Sequence, residues 1–129
     1  MYALNAFFLF FVSMLVSGYA APIRGGTGEA TYYATGLGAC GGVSHNTDFI
    51  VAVSLPIFNG FPGAGKNSNK NPICGKKLTA HYQGKDVTVT VVDSCPGCAK
   101  NDIDLSPSAF EKLAPLGKGR LSGVKWTLG

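Results

Sequence analysis

In 129 residues, 46% are hydrophobic and 14% charged, which is material for one small core and leaves no room for a second module. Eleven basic residues against seven acids leave a net charge of +4 at pH 7. Lys66, Lys70, Lys76 and Lys77 cluster in or beside one loop, a basic face that serves solubility first and contact with acidic polymers second.

From Ala6 to Val16 the chain runs AFFLFFVSMLV without a charge, short for a bilayer span, and Ser17-Gly18-Tyr19-Ala20 then places small residues correctly for a cut after Ala20. This predicts a secretory signal peptide over residues 1–20 and an extracellular domain over 21–129. "GEATYYA", Gly28 to Ala34, alternates and is rich in β-formers, so it reads as a first strand, followed by a turn dense in glycine through Gly36, Gly38, Gly41 and Gly42. Asp48 to Ser54 reads as a second, apolar strand. Leu55 to Pro72, rich in Gly, Pro and Asn, reads as a long surface loop. Lys77 to Asp93 is a hairpin: Leu78, Ala80 and Tyr82 alternate, Gln83-Gly84 turns, and Val87, Val89 and Val91 alternate against threonines. One helix is expected, capped by Ser106, with Pro107 at its first position and an end before Pro115. The last strand is "GVKWTL", whose Trp126, the only tryptophan, is assigned to packing instead of a sugar platform. Short strands with one short helix predict an all-β fold closed or nearly closed into a barrel, which removes exposed strand edges.

Cys40, Cys74, Cys95 and Cys98 in a small exported domain imply two disulfides. Three pairings are possible; the closeness of Cys95 to Cys98 favours that pair and leaves Cys40 with Cys74 to close a long loop. A four-cysteine zinc site needs two CxxC pairs and only one is present, so no metal is expected. A redox role for the CxxC lacks the βαβ unit such chemistry uses. Gly60 to Lys66, "GFPGAGK", has phosphate-loop spacing, but Asn67 stands where a magnesium-binding hydroxyl belongs, and no helix pattern follows. His45 and His81 have no ligand spacing and receive no role.

The acids of "VVDSCPGCAKNDIDLSPSAF", Val91 to Phe110, are the candidates for chemistry. Asp93 ends an apolar strand and Asp104 precedes the helix. A clamped CxxC loop would hold both on one barrel rim, one with a raised pKa as acid and the other charged, the arrangement that glycoside chemistry uses. The competing reading has both accepting backbone N–H groups in a tight loop, with Asp102 solvated.

"GEATYYATGLGACG", "NPICGK", "VTVVDSCPGCAKNDIDLSPSAF" and "GVKWTL" resemble, in order, the fungal single-domain expansin-like proteins called loosenins. These fall within the RlpA-like group that also holds expansin first domains, barwin-type proteins and small inverting endoglucanases. The resemblance implies a six-stranded double-psi β-barrel. It places the family's essential acid at Asp104, its strand-end aspartate at Asp93 and its first-strand threonine at Thr31. Cys95 stands where bacterial expansins carry a tyrosine, so part of that aromatic contact is either absent or supplied from elsewhere, with Tyr32 and Tyr33 the candidates. No counterpart of the endoglucanase base is found. The implied function is therefore loosening of cell-wall polysaccharide (cellulose, chitin or peptidoglycan) without hydrolysis, by a monomer needing no cofactor, nucleic acid or membrane. The alternatives are a papain-type protease inhibitor or barwin-like defence protein acting through the Pro56 to Pro72 loop, and a weak endoglucanase or lytic transglycosylase.

Overall fold

The computed structural model describes residues 24–129; the expected signal peptide and its cleavage site lie outside these residues. Six strands close into a barrel: β1 (Arg24–Tyr32), β2 (Ile50–Ser54), β3 (Lys77–Tyr82), β4 (Lys85–Cys95), β5 (Ile103–Leu105) and β6 (Leu121–Leu128), in the order β1-β5-β2-β4-β3-β6. The first strand begins earlier than the alternation of "GEATYYA" suggests, because Arg24 to Gly28 pairs antiparallel with Leu128 to Val124. Two contacts are parallel, β1 with β5 and β2 with β4, and each joins strands far apart in the chain.

The β3–β4 hairpin forms where its alternation predicts. Gln83 (φ 46°) and Gly84 (φ 79°) both adopt the left-handed backbone that matches a two-residue turn to the twist of its strands. Leu78, Ala80, Val87, Val89 and Val91 point inward and are buried. They meet Ile103, Leu105, Phe110, Leu121, Val124 and Trp126 in a single core. Trp126 is 2% exposed, a packing residue as expected, and its indole N–H donates to the Asn101 carbonyl at 2.9 Å.

The expectation of a single helix is corrected. Besides α2 (Pro107–Glu111), capped by Ser106 as predicted, a second short helix, α1 (Leu55–Asn59), occupies the start of the segment read as a loop. Both obey the same rule: a serine side chain accepts from a first-turn N–H and a proline sits at the start. The segment is tied down near its two ends, where Phe58 of α1 and Asn71 are buried and the Asn71 amide donates to the Phe58 carbonyl at 2.8 Å. Between them most residues are exposed, a surface loop as its glycine and proline content predicts.

Cys40 pairs with Cys74 and Cys95 with Cys98, and no cysteine is free. The first bond ties the glycine-rich loop after β1 to the segment before β3; the second closes the loop between β4 and β5.

Candidate functional site

Strand register brings the predicted acids together. Thr31 of β1 is opposite Asp104 of β5, Asp104 is opposite Ala52 of β2, and Ala52 is opposite Asp93 of β4. Register partners point to the same face, so Thr31, Asp104, Ala52 and Asp93 form one row across four neighbouring strands. Two strand spacings separate the acids, which puts their Cα atoms about 9 to 10 Å apart. Ala52 of β2 occupies the row position between them.

The acids are held differently. Asp104 is half-buried, and its Oδ1 accepts from the Thr31 hydroxyl at 2.9 Å. Burial pushes its carboxyl above the ordinary aspartate range and the charge of Asp93 adds to the rise; the Thr31 hydroxyl and the Arg120 guanidinium oppose it. The sulfurs of Cys95 and Cys98 and a carboxylate oxygen of Asp104 lie within 4.8 Å of one another. With those sulfurs bonded to each other they offer no thiolate to a metal, and act instead as apolar cover that desolvates the acid.

Asp93, by contrast, accepts from three donors. Its Oδ1 accepts from the backbone N–H of Ala39 (2.8 Å) and Ser94 (2.9 Å), and its Oδ2 accepts from the Tyr33 hydroxyl at 3.3 Å. The Ala39 contact requires the loop after β1 to press against the end of β4. A Cβ at Gly38 would lie 2.4 Å from the Val92 carbonyl oxygen, so only glycine permits the approach. Burial, then the neighbouring charge and hydrogen bond of Asp93, push the Tyr33 hydroxyl well above its usual range, so it stays a proton donor. Tyr32 points away: its ring packs edge-on against Phe110 with centroids 4.8 Å apart, and its hydroxyl donates to the Leu116 carbonyl at 3.0 Å. Of the two tyrosines, Tyr33 is the one that reaches the acids.

The remaining carboxylates are engaged elsewhere or lie apart. Asp102 is not simply solvated, because its oxygens accept from the N–H groups of Glu29 (2.9 Å) and Ala99 (3.1 Å). Glu29 pairs with Arg120 at 2.8 Å. Asp48 accepts from the His45 N–H, Asp86 pairs with His81, and Glu111 is exposed on α2. Arg120, whose charge moderates Asp104, was missed by sequence reasoning; it sits in a turn before β6 with no motif around it. None of the row's residues lines the cavities of about 400 and 420 Å³, and Ala52 at its centre is 2% exposed, so the row is partly covered.

A double-psi β-barrel family model described as lytic transglycolase matches residues 26–125. The papain inhibitor of Streptomyces mobaraensis is 38% identical over 103 residues, covering 78% of this chain and 68% of that protein. The chain belongs to the expansin-like double-psi β-barrel family. Within it, an Asp f 7 allergen homolog from Arthroderma benhamiae is 39% identical over 126 residues, covering 85% of this chain but 42% of that longer protein. The solved Streptomyces papain inhibitor superposes with a TM-score of 0.75 at 36% identity, covering 84% of this chain and 98% of the inhibitor. A mutant Clavibacter michiganensis expansin in complex with cellohexaose superposes with a TM-score of 0.61 at 25% identity, covering 82% of this chain and 50% of the expansin.

Proposed function

We propose that this protein is a secreted, loosenin-like factor that grips cell-wall polysaccharide along the Thr31–Asp104–Ala52–Asp93 row and loosens it without cutting. The observation that carries the reading is the pairing of one half-buried acid of raised pKa with one acid that already accepts three hydrogen bonds. A carboxyl that stays protonated further up the pH scale both donates and accepts, so Asp104 can replace a chain-to-chain hydrogen bond between glucan hydroxyls. Asp93, committed to two N–H groups and a phenol, is poorly placed to take a proton from an attacking water. Asp102 and Glu29, the other acids near the row, are likewise bound, one to backbone and one to Arg120. The expansin neighbour in complex with cellohexaose supports a glucan ligand. The two disulfides support export to an oxidising compartment.

The test is to incubate the protein with insoluble cellulose, chitin and peptidoglycan and to measure retention, fibre strength and reducing ends together. Weakened or swollen fibres with no new reducing ends are expected, and the effect should vanish in Asp104→Ala, which removes both the donor and the acceptor. Reducing ends that grow with protein concentration would replace the proposal with hydrolysis or transglycosylation.

A second reading, inhibition of papain-type proteases, is favoured by the similarity to the Streptomyces inhibitor and by one structural feature. Leu37 and Val43 are 75% and 69% exposed, paired across a bridge on the glycine-rich loop that the Cys40–Cys74 bond anchors. An exposed apolar fingertip on a tethered loop offers a protease cleft more apolar surface than the Pro56 to Pro72 segment, whose exposed positions are proline, glycine, asparagine and lysine. Papain inhibition lost in Leu37→Asp and kept in Asp104→Ala would establish it.

A further inference from the structure

The cavity of about 400 Å³ lies at the other end of β1 from the acidic row. Gly25 on its wall is six residues from Thr31, roughly 20 Å of extended strand. Arg24 and Lys100 stand on its rim, and Ile57, Phe61, Trp126 and Leu128 supply apolar surface. No carboxylate lines it, and among the described residues neither cation makes an ion pair.

Its parts are held in place. The Arg24 guanidinium lies over the Phe61 ring, 4.8 Å from the centroid, a cation–π contact that holds the charge beside the cavity. The Lys100 carbonyl accepts from the Ser54 hydroxyl at 2.6 Å, anchoring that loop beside α1. The indole N–H of Trp126 is already spent on the Asn101 carbonyl, so the tryptophan contributes buried apolar surface and no donor. A volume of this size falls in the range of small-molecule sites, about 300 to 1,000 Å³.

We infer that this cavity binds a small organic carboxylate carrying a ring or short apolar body. The carboxylate would sit in the fork of Arg24 with Lys100 beside it, and the body against Phe61, Ile57 and Leu128. The inference is independent of the acidic row and of any polysaccharide.

Trp126 is the only tryptophan, so its emission reports the site. The full protein is titrated with phenylacetate and, separately, with the uncharged benzyl alcohol, with amide NMR shifts followed in parallel. Phenylacetate should change Trp126 emission saturably and shift the amides of Gly25, Gly60 and Asn101, while benzyl alcohol binds about tenfold more weakly or not at all. Arg24→Gln should weaken phenylacetate about tenfold, and Lys100→Gln, on an exposed loop position, severalfold with unchanged melting temperature. Asp104→Ala should bind phenylacetate like the wild type, so the loosening proposal and this one fail separately. Equal response to both probes, no saturable response, or undiminished binding in both cation variants would overturn the assignment.

Discussion

The two ends of the acidic row show how one barrel rim makes two different carboxylates. Asp93 lies two residues before the end of β4, where the loop after β1 returns, and that loop brings an N–H and a tyrosine to it. Asp104 stands in β5 beside a threonine hydroxyl and under a disulfide. Donor supply ties Asp93 to its neighbours; desolvation, opposed by a single side-chain donor and the Arg120 charge, raises the carboxyl pKa of Asp104. The difference lies in the loops each strand meets, because the residues themselves are identical.

The disulfides belong to these two surroundings and should differ in weight. The Cys40–Cys74 bond spans 34 residues and holds the loop that feeds Asp93; the Cys95–Cys98 bond spans 3 and covers Asp104. Chain entropy assigns about 4 kcal/mol to the longer closure and about 2 kcal/mol to the shorter. Urea unfolding of Cys40→Ser/Cys74→Ser and Cys95→Ser/Cys98→Ser should show that order. The second variant should also hydrate Asp104 and bring its carboxyl pKa, read by NMR titration, back toward the usual range.

Next in size is Asp93→Ala, which strands the N–H groups of Ala39 and Ser94 and should cost about 2 to 4 kcal/mol in the same unfolding assay. Asp104→Asn should cost nothing near neutral pH, because the amide oxygen still accepts from Thr31 and a partly desolvated charge disappears. The sign follows from linkage. A carboxyl whose folded pKa is raised binds its proton more tightly in the native state, so the wild type loses stability as pH climbs from the ordinary aspartate value near about 3.9 through the raised folded value. Melting temperatures across that window should fall less in Asp104→Asn. Loosening, if it uses the protonated form, should decline over the same window.

How much of this was legible depended on how local the signal is. The β3–β4 hairpin carries its alternation and turn in consecutive residues, so its strands and buried valines could be read directly. The α2 helix announced itself through Ser106 and Pro107. The Ser54-Leu55-Pro56 start of α1 carries the same signature, but the Gly and Pro that follow it masked the helix. Thr31, Asp93 and Asp104 were named one by one through the resemblance, and Tyr32 and Tyr33 as alternatives, of which Tyr33 meets Asp93 and Tyr32 points away. That Ala52 separates the acids was not legible, because β2 inserts between β4 and β5, a register set by parallel pairings between distant segments. Arg120 and the pocket at Arg24 were invisible for the same reason.

The smallest expected effect is the one that separates support from chemistry at Asp93. Tyr33→Phe removes one hydrogen bond, a long one at 3.3 Å, and leaves Asp93 its two backbone donors, so stability should fall by less than about 1 kcal/mol. If the phenol serves only to hold Asp93, fibre loosening should survive at nearly the wild-type level. If it meets the sugar chain as well, retention on cellulose should drop severalfold while the unfolding midpoint hardly moves, because a hydroxyl that keeps its proton at every working pH is a permanent donor at the edge of the row. Tyr32→Phe is the matched control, since that hydroxyl donates to the Leu116 carbonyl on the other side of the strand. A loss of retention in Tyr33→Phe but not in Tyr32→Phe would extend the grip from Asp104 past Asp93 to the loop after β1.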